Sequence, residues 1–401
     1  MSKFHTIVDL DLRGKRVLLR VDFDVPCNDA GEITDDSRIR GAIPTIQYII
    51  DQGGKAVLLA HRGRPDGQKS ENLSLAPIAQ RLSQLLKKNV AFAPDCIGDA
   101  VEKMTTRMQN GDVLLLENVR FHLEETEENG REAFVKELAK MGDLYVNDAF
   151  ATAHRKHAST YDLAKEFDSP AAGLLMEKEV LILTNLLTQA PSPFYAIIGG
   201  SKISSKIGVL EALFSRIDGL FIGGAMIYTF MKALDLEIGN SLLDEEHVDT
   251  AKYLMKKMRS KGIEFFLPKD LLIANAVSKD AETRVVSLEE GIEEGWIGVD
   301  IGPETIKAWK DPLDHAGTVF WNGPMGVFEI PLFANGTLEI AKILADSNAM
   351  SIVGGGDSAA AVRQSGVHQK ITRISTGGGA TLEFIEMGSL PCLEILQYVE
   401  T

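Results

Sequence analysis

Short runs of Val, Ile and Leu alternate along the whole chain with longer stretches in which apolar residues return every three or four positions. The runs read as strands and the stretches as helices. Their alternation predicts βαβ units and parallel sheets, an α/β fold. In the first half, strands are predicted at 16–21, 56–60, 90–93, 113–116 and 144–146, with helices over 36–52, 74–88 and 124–141. Several of these strands are apolar at consecutive positions, as expected where helices cover both faces of a sheet. Residues 174–187 read as a helix that Pro191 and Pro193 bring to an end. At 401 residues the chain exceeds one ordinary core, so two domains are expected, with the boundary on this helix. A helical connector is stiffer than a Gly/Ser linker, which predicts hinge motion rather than free tumbling. The second half repeats the pattern, with strands predicted at 194–198, 219–222, 318–321, 351–353 and 371–375.

Most of these strands end in residues suited to a ligand, and the type changes midway. The first-half ends are cationic: Arg20-Val21-Asp22-Phe23-Asp24, His61-Arg62-Gly63-Arg64, Arg120-Phe121-His122 and His154-Arg155-Lys156-His157. The second-half ends are rich in glycine: Gly199-Gly200-Ser201-Lys202, Gly223-Gly224, Asn322-Gly323, Gly354-Gly355-Gly356-Asp357 and Gly377-Gly378-Gly379. Of the 36 glycines, 24 follow Ala190, and the excess sits at these ends. Ligands of open α/β sheets bind beyond the carboxyl ends of the strands. One half is therefore expected to grip an anion with side chains. The other is expected to cradle a phosphate chain with backbone N–H groups at helix starts. A tight turn explains any single junction as well, but five at one sheet edge favour a nucleotide.

The formal net charge of −15 makes the cationic clusters stand out. It also disfavours nucleic acid or a membrane surface as a partner. Cys27, Cys96 and Cys392 are far apart and form no CxxC. They fit a reducing, cytoplasmic compartment rather than a disulfide framework or a zinc site. No apolar leader is evident, and no run approaches the roughly 20 residues of a membrane span.

Arg38, Arg64, Arg120 and Arg155 each offer a bidentate fork for phosphate or carboxylate. His61 and His154 add donors. Asp22 and Asp24 either take substrate hydroxyls or pair with the arginines, whereas Arg62, Lys156 and His157 read as surface or supporting residues. Lys202 and Lys206, four apart, are placed on one face of a helix start, where the dipole disfavours cations unless an anion compensates. Asp357 reads as a Mg²⁺ carboxylate beside phosphates, or with Ser358 as a helix cap. Walker A is absent. Residues 354–359 fit G-x-G-x-x-[GA], yet no acidic residue about 20 positions on completes a dinucleotide fingerprint. A nicotinamide-dependent dehydrogenase is thus the weaker alternative. The GxSxG, HExxH and protein-kinase strings are missing.

Taken together, the strings resemble one family. RVDFDVP (20–26), HRGRP (61–65), LENVRFH (116–122), NDAFATAHR (147–155), GGSKISSK (199–206), WNGPMGVFE (321–329), GGGDS (354–358) and STGGGA (375–380) resemble, in order and across essentially the whole chain, the motifs of phosphoglycerate kinases. The resemblance implies two Rossmann-like lobes joined by a helix. These would be a phosphoglycerate-binding domain (1–172), a connecting helix (173–190), a nucleotide-binding domain (191–385) and a final segment (386–401) returning to the first lobe. It implies a monomer that reversibly transfers a phosphoryl group between ATP and the carboxylate of 3-phosphoglycerate with Mg²⁺, the products being ADP and 1,3-bisphosphoglycerate. By motif position it implies Asp22, Phe23, Asp24, Arg38, His61, Arg62, Gly63, Arg64, Arg120 and Arg155 at the phosphoglycerate. It implies Gly200, Lys202, Lys206, Gly223, Gly224, Gly298, Asn322, Glu329, Gly354, Gly355, Gly356, Asp357 and Ser358 at the nucleotide, with Asp357 on the metal. Arg38, Lys202 and Gly378 would serve the transfer itself. Asp24 stands where the family usually has Asn, Ala151 where it has Gly, and Ser358 where it has Thr. Asp24 adds negative charge beside an anion, so weaker substrate binding is expected unless an arginine neutralises it.

Overall fold

The computed structural model describes residues 4–28, 30–375 and 377–396. Residues 1–3 of the first predicted domain, Thr376 of the last glycine string and residues 397–401 of the final segment lie outside the described residues. The chain divides into two compact units. One runs to Ile182 and takes in the segment from Ser389 onward, and the other is Leu183–Gly388.

The first unit is built on six strands: β1 (Arg16–Arg20), β2 (Lys55–Leu59), β3 (Val90–Phe92), β4 (Val113–Leu115), β5 (Leu144–Asn147) and β6 (Ala171–Ala172). They pair in the order β3-β4-β2-β1-β5-β6, all parallel. Helices α1 (Ser37–Asp51), α2 (Ala76–Leu86), α3 (Asp99–Arg107) and α4 (Arg131–Ala139) connect them. The run of apolar residues in each strand divides between two cores. Val17 and Leu19 of β1, Ala56 and Leu58 of β2 and Val113 and Leu115 of β4 enter one cluster with α1 and α2. The alternate residues Leu18, Val57, Leu59 and Leu114 enter a second with α3 and α4. Period-two alternation sends successive side chains to opposite faces, and burial on both faces is what made these strands read as continuous apolar runs.

Helix α5 (Leu174–Thr188) follows. Its first N–H groups at Leu175 and Met176 donate to the Asp148 carboxylate, at 2.9 and 3.0 Å. After Gly388 the chain rejoins the first unit. Leu390, Cys392, Leu393 and Leu396 are buried there. Cys392 N donates to Ala153 O, and His5 N to Leu396 O.

The second unit has β7 (Phe194–Ile198), β8 (Gly219–Ile222), β9 (Glu264–Phe266), β10 (Asp270–Ala274), β11 (Thr283–Ser287), β12 (Ile297–Ile301), β13 (Thr318–Asn322), β14 (Met350–Gly354) and β15 (Arg373–Ile374). Six of them form a parallel sheet, β15-β14-β13-β7-β8-β9. The helices are α6 (Ile207–Leu213), α7 (Met226–Ala233), α8 (Val248–Lys261), α9 (Pro303–Asp314), α10 (Asn335–Asp346), α11 (Gly356–Gln364) and α12 (Gly379–Met387).

Three departures from the predicted elements have physical causes. The helix predicted over 124–141 is reduced to a short 3₁₀ turn, Leu123–Glu125, and α4, because Gly130 between them adopts φ +79° and ends helical geometry. A second sheet, β11-β10-β12, is antiparallel and was not foreseen: β11 carries Arg284 and is largely exposed, so it lacks a buried run. Lys202 and Lys206 do not lie within a helix start, since α6 opens only at Ile207 with Lys206 as its cap residue. Among the described residues, no helix is long and apolar enough to cross a membrane.

Candidate active site

Adjacent strands β4, β2, β1 and β5 bring their carboxyl ends to one edge of the first sheet, which is why residues far apart in sequence meet there. Arg20 closes β1, His61 follows β2, Arg120 follows β4 and Arg155 follows β5. Arg38 comes from the first turn of α1 and donates from Nη1 to Asp22 Oδ2 at 2.6 Å. Asp24 Oδ1 accepts from Gly63 N at 2.8 Å, and its Oδ2 lies 3.7 Å from His61 Nε2. Arg120 Nη1 donates to Gly63 O at 2.6 Å, while its buried Nε has no partner among the described residues. Gly63 needs its φ of +62° to make this turn, which a side chain would resist.

The site is crowded with like charge. Burial, then Arg20, pushes Arg120 down to about 10. Burial and the arginines at 20, 120 and 38, with His157, hold His61 well below its ordinary range. His157, pushed down to about 3 by burial and then by Arg120, Arg20, Arg155 and Arg131, is neutral too. Cations kept this close without enough carboxylates mark a place built for an anion.

Not every predicted residue faces the opening. The Phe23 side chain is wholly buried in the core, so only its backbone is available to a ligand. Arg62 is buried, donating to Ser74 O at 3.1 Å and Cys27 Sγ at 2.8 Å. It fastens loops rather than lying on the surface. Arg64 is exposed and Arg155 half-buried. Sequence reasoning passed over Glu125 and Ser159, which lie fully buried beneath the cluster. Both sit in short irregular helices that carry no motif.

In the second unit, strand ends β14, β13, β7 and β8 are likewise adjacent. They border a cavity of about 390 Å³ lined by Gly200, Gly224, Gly298, Met325, Glu329 and Asp357 among others. Its apolar wall includes Leu242, Val277, Ile297 and Val299, a setting suited to a flat base. The glycines divide into two kinds. Gly199, Gly223, Gly224 and Gly323 are packed against neighbouring loops, so that a Cβ on Gly224 would meet Gly200 N at 2.5 Å and one on Gly223 would meet Met325. They let strand ends touch. Gly356 and Gly378 have nothing within 4 Å, and Gly200 only Lys206 Cε at 3.9 Å; these leave backbone accessible. Gly298 on β12 lies against Tyr228 and donates its N–H to Ser241 Oγ at 2.9 Å.

Asn322 is buried and bridges two loops. It accepts from Lys206 Nζ at 2.6 Å and donates to Gly354 O at 2.6 Å. Burial lowers Lys206, with Asp357 opposing. Ser358 is buried and accepts from Gly323 N at 2.6 Å, while Gly355 at φ +101° is the residue preceding α11. Asp357 and Lys202 are exposed, and Asp357 in the first turn of α11 offers a hard oxygen donor of the kind Mg²⁺ takes beside phosphates. The arrangement can hold a phosphate chain at helix N-termini, with lysines nearby and an apolar slot for a base.

The phosphoglycerate kinase family profile matches residues 7–387. Phosphoglycerate kinases of Dictyoglomus turgidum and Thermosynechococcus vestitus are 51% and 52% identical, over 98% and 96% of each chain. A solved phosphoglycerate kinase structure from Coxiella burnetii superposes with a TM-score of 0.86 at 39% identity, covering 98% of this chain and 99% of that one. One from Pyrococcus horikoshii gives 0.84 at 34%, covering 98% of each. The dehydrogenase alternative finds no support among these relatives.

Proposed function

The chain belongs to the phosphoglycerate kinase family, and on that premise we propose how its two half-sites divide the phosphotransfer between ATP and 3-phosphoglycerate. The cationic edge of the first unit binds 3-phosphoglycerate. The observation that carries this is the crowding of Arg38, Arg120 and Arg155 around histidines too buried and too surrounded to charge. Arg38, Arg64, Arg120 and Arg155 take the anionic groups, and Asp22, Asp24 and His61 the hydroxyl. Gly63, Phe23 and Arg62 support the loops.

The cavity of the second unit binds the nucleotide. Its base lies against the apolar wall, and its phosphates run past Gly200, Lys202, Lys206 and the start of α11. Gly223, Gly224, Asn322, Gly354, Gly355 and Ser358 shape that edge. Glu329 at the rim takes ribose hydroxyls. Asp357 would hold Mg²⁺, which when bound neutralises phosphate oxygens.

The acceptor carboxylate is ionised near neutral pH, so no general base is needed. The chain's work is positioning and neutralising charge on the moving phosphoryl group. Lys202, Arg38 and the open backbone at Gly378 do this. Substrates held on separate units meet only if the units close, and closure also excludes water. We read the enzyme as a monomer, as the family resemblance implies, in the cytoplasm, a compartment consistent with three free cysteines. The test is Arg38→Ala, expected to lower turnover by at least about a hundredfold, on the scale of lost transition-state contacts, while calorimetric ATP affinity stays within about twofold. Undiminished turnover overturns the assignment.

A further inference from the structure

Beneath the cationic edge runs a directed chain of buried hydrogen bonds. Arg20 is 0% exposed, the last residue of β1. Its Nε donates to Ser159 Oγ at 2.8 Å, its Nη1 to Val21 O, and its Nη2 meets His61 Nδ1 at 3.1 Å. Ser159 has one hydroxyl proton. Because its oxygen already accepts from Arg20, that proton goes to Glu125 Oε1 at 2.7 Å, and Ser159 N donates to Glu125 Oε2 at 2.8 Å. Both oxygens of Glu125 therefore accept, the pattern of an ionised carboxylate, and Arg20 and the Ser159 donors hold that charge against the burial that raises its carboxyl.

A guanidinium has donors and no acceptor. Wherever Arg20 Nη2 bonds to His61 Nδ1, that nitrogen must present a lone pair. His61 is 3% exposed and surrounded by Arg20, Arg120, Arg38 and His157, so the ring is neutral and its single proton sits on Nε2. Asp24 Oδ2 faces that nitrogen at 3.7 Å, too long for a hydrogen bond. Asp24 attracts the N–H without consuming it.

We propose that Glu125, Ser159 and Arg20 are positioning residues which fix His61 as the Nε2–H tautomer and aim that donor, beside the Asp24 carboxylate, at the bound substrate. They act through His61 and touch no substrate themselves. The effect on substrate rests on the placement of phosphoglycerate given above; the tautomer does not.

The test uses the full-length enzyme with ¹⁵N-labelled histidine. Without substrate, NMR is expected to show His61 with Nε2 protonated and Nδ1 bare, unchanged between about pH 6 and 8, where an ordinary histidine titrates. The double variant Arg20→Met/Glu125→Gln removes both buried charges together. In it His61 is expected to become a mixture of tautomers, and KM for 3-phosphoglycerate to rise about tenfold, the worth of one such hydrogen bond. A folded double variant with an unaltered His61 tautomer overturns the proposal. So does a proton on Nδ1 in the unaltered enzyme, which decides the matter even if the variant does not fold. A shifted tautomer with unchanged KM supports the chain of hydrogen bonds and overturns the placement of His61 at the phosphoglycerate.

Discussion

Asp24 is held at one oxygen by Gly63 N–H and has its other oxygen towards His61. Its negative charge is also felt by Arg120, which it holds up against burial. No arginine pairs with this carboxylate directly among the described residues, so its charge is only partly offset. Asp24→Asn keeps an oxygen for Gly63 and removes one negative charge facing an anionic substrate. KM for 3-phosphoglycerate is expected to fall several-fold, for roughly 1 kcal/mol at a half-exposed position, with turnover little changed; steady-state kinetics at low salt giving an equal or higher KM would refute this. Asp300 on β12 makes a different prediction. Buried, it accepts from Ile301 N at 2.9 Å and Gly336 N at 2.6 Å, and burial pushes its carboxyl from 3.8 up to about 7 against those donors. A raised folded-state value means that the folded state holds the proton more tightly. That stability is complete below about pH 4 and is lost as pH rises towards about 7. Asp300→Asn is expected to abolish this slope, worth about 3 kcal/mol across the interval. Denaturant midpoints of both proteins at several pH values would show it; parallel curves would contradict it.

At the scale of elements, the glycine turns at β7, β8 and β13 act on one another as much as on a ligand. Gly224 N donates to Met325 O at 2.9 Å, Met226 N to Gly200 O at 3.1 Å and Gly199 N to Asn322 O at 2.8 Å. Gly224→Ala meets both a φ of +64° and backbone in the space of its Cβ, whereas Gly378→Ala meets only a φ of +52°. The first is expected to cost several kcal/mol and the second about 2 kcal/mol, since its ψ of −115° lies outside the left-handed helical well. Comparable melting temperatures for the two variants would count against interlocked turns. The same turns show what was legible beforehand. β7 and β8 were read to the residue because each is a closed apolar run stopped by glycine. Which glycines face a ligand and which face other glycines was not legible, because that depends on the strand order. Nor could Glu125 be read, since a buried carboxylate beneath an arginine looks in sequence like any acidic residue in an acidic turn. The gathering of Arg20, Arg120 and Arg155 at one edge was legible because each closes or follows a strand of one parallel sheet, while the network beneath them is fixed only by packing.

For the whole molecule, the proposed binding of the two substrates to separate units gives an expectation for size. Scattering should show a smaller radius of gyration with 3-phosphoglycerate and Mg-nucleotide together than with either alone. Identical radii in all three states would argue against closure. The return of the chain after Gly388 has a further consequence, in the order of synthesis. Leu390, Cys392, Leu393 and Leu396 complete the burial of a unit whose first strand begins at Arg16. A ribosome delivers these residues only after the whole of Leu183–Gly388. The unit begun first can therefore be finished only after all of the second has been made. Until then the nascent chain leaves uncovered the apolar seat beside Ala153 that these residues fill. Full assembly of the first unit is in effect a report that the second has already been made.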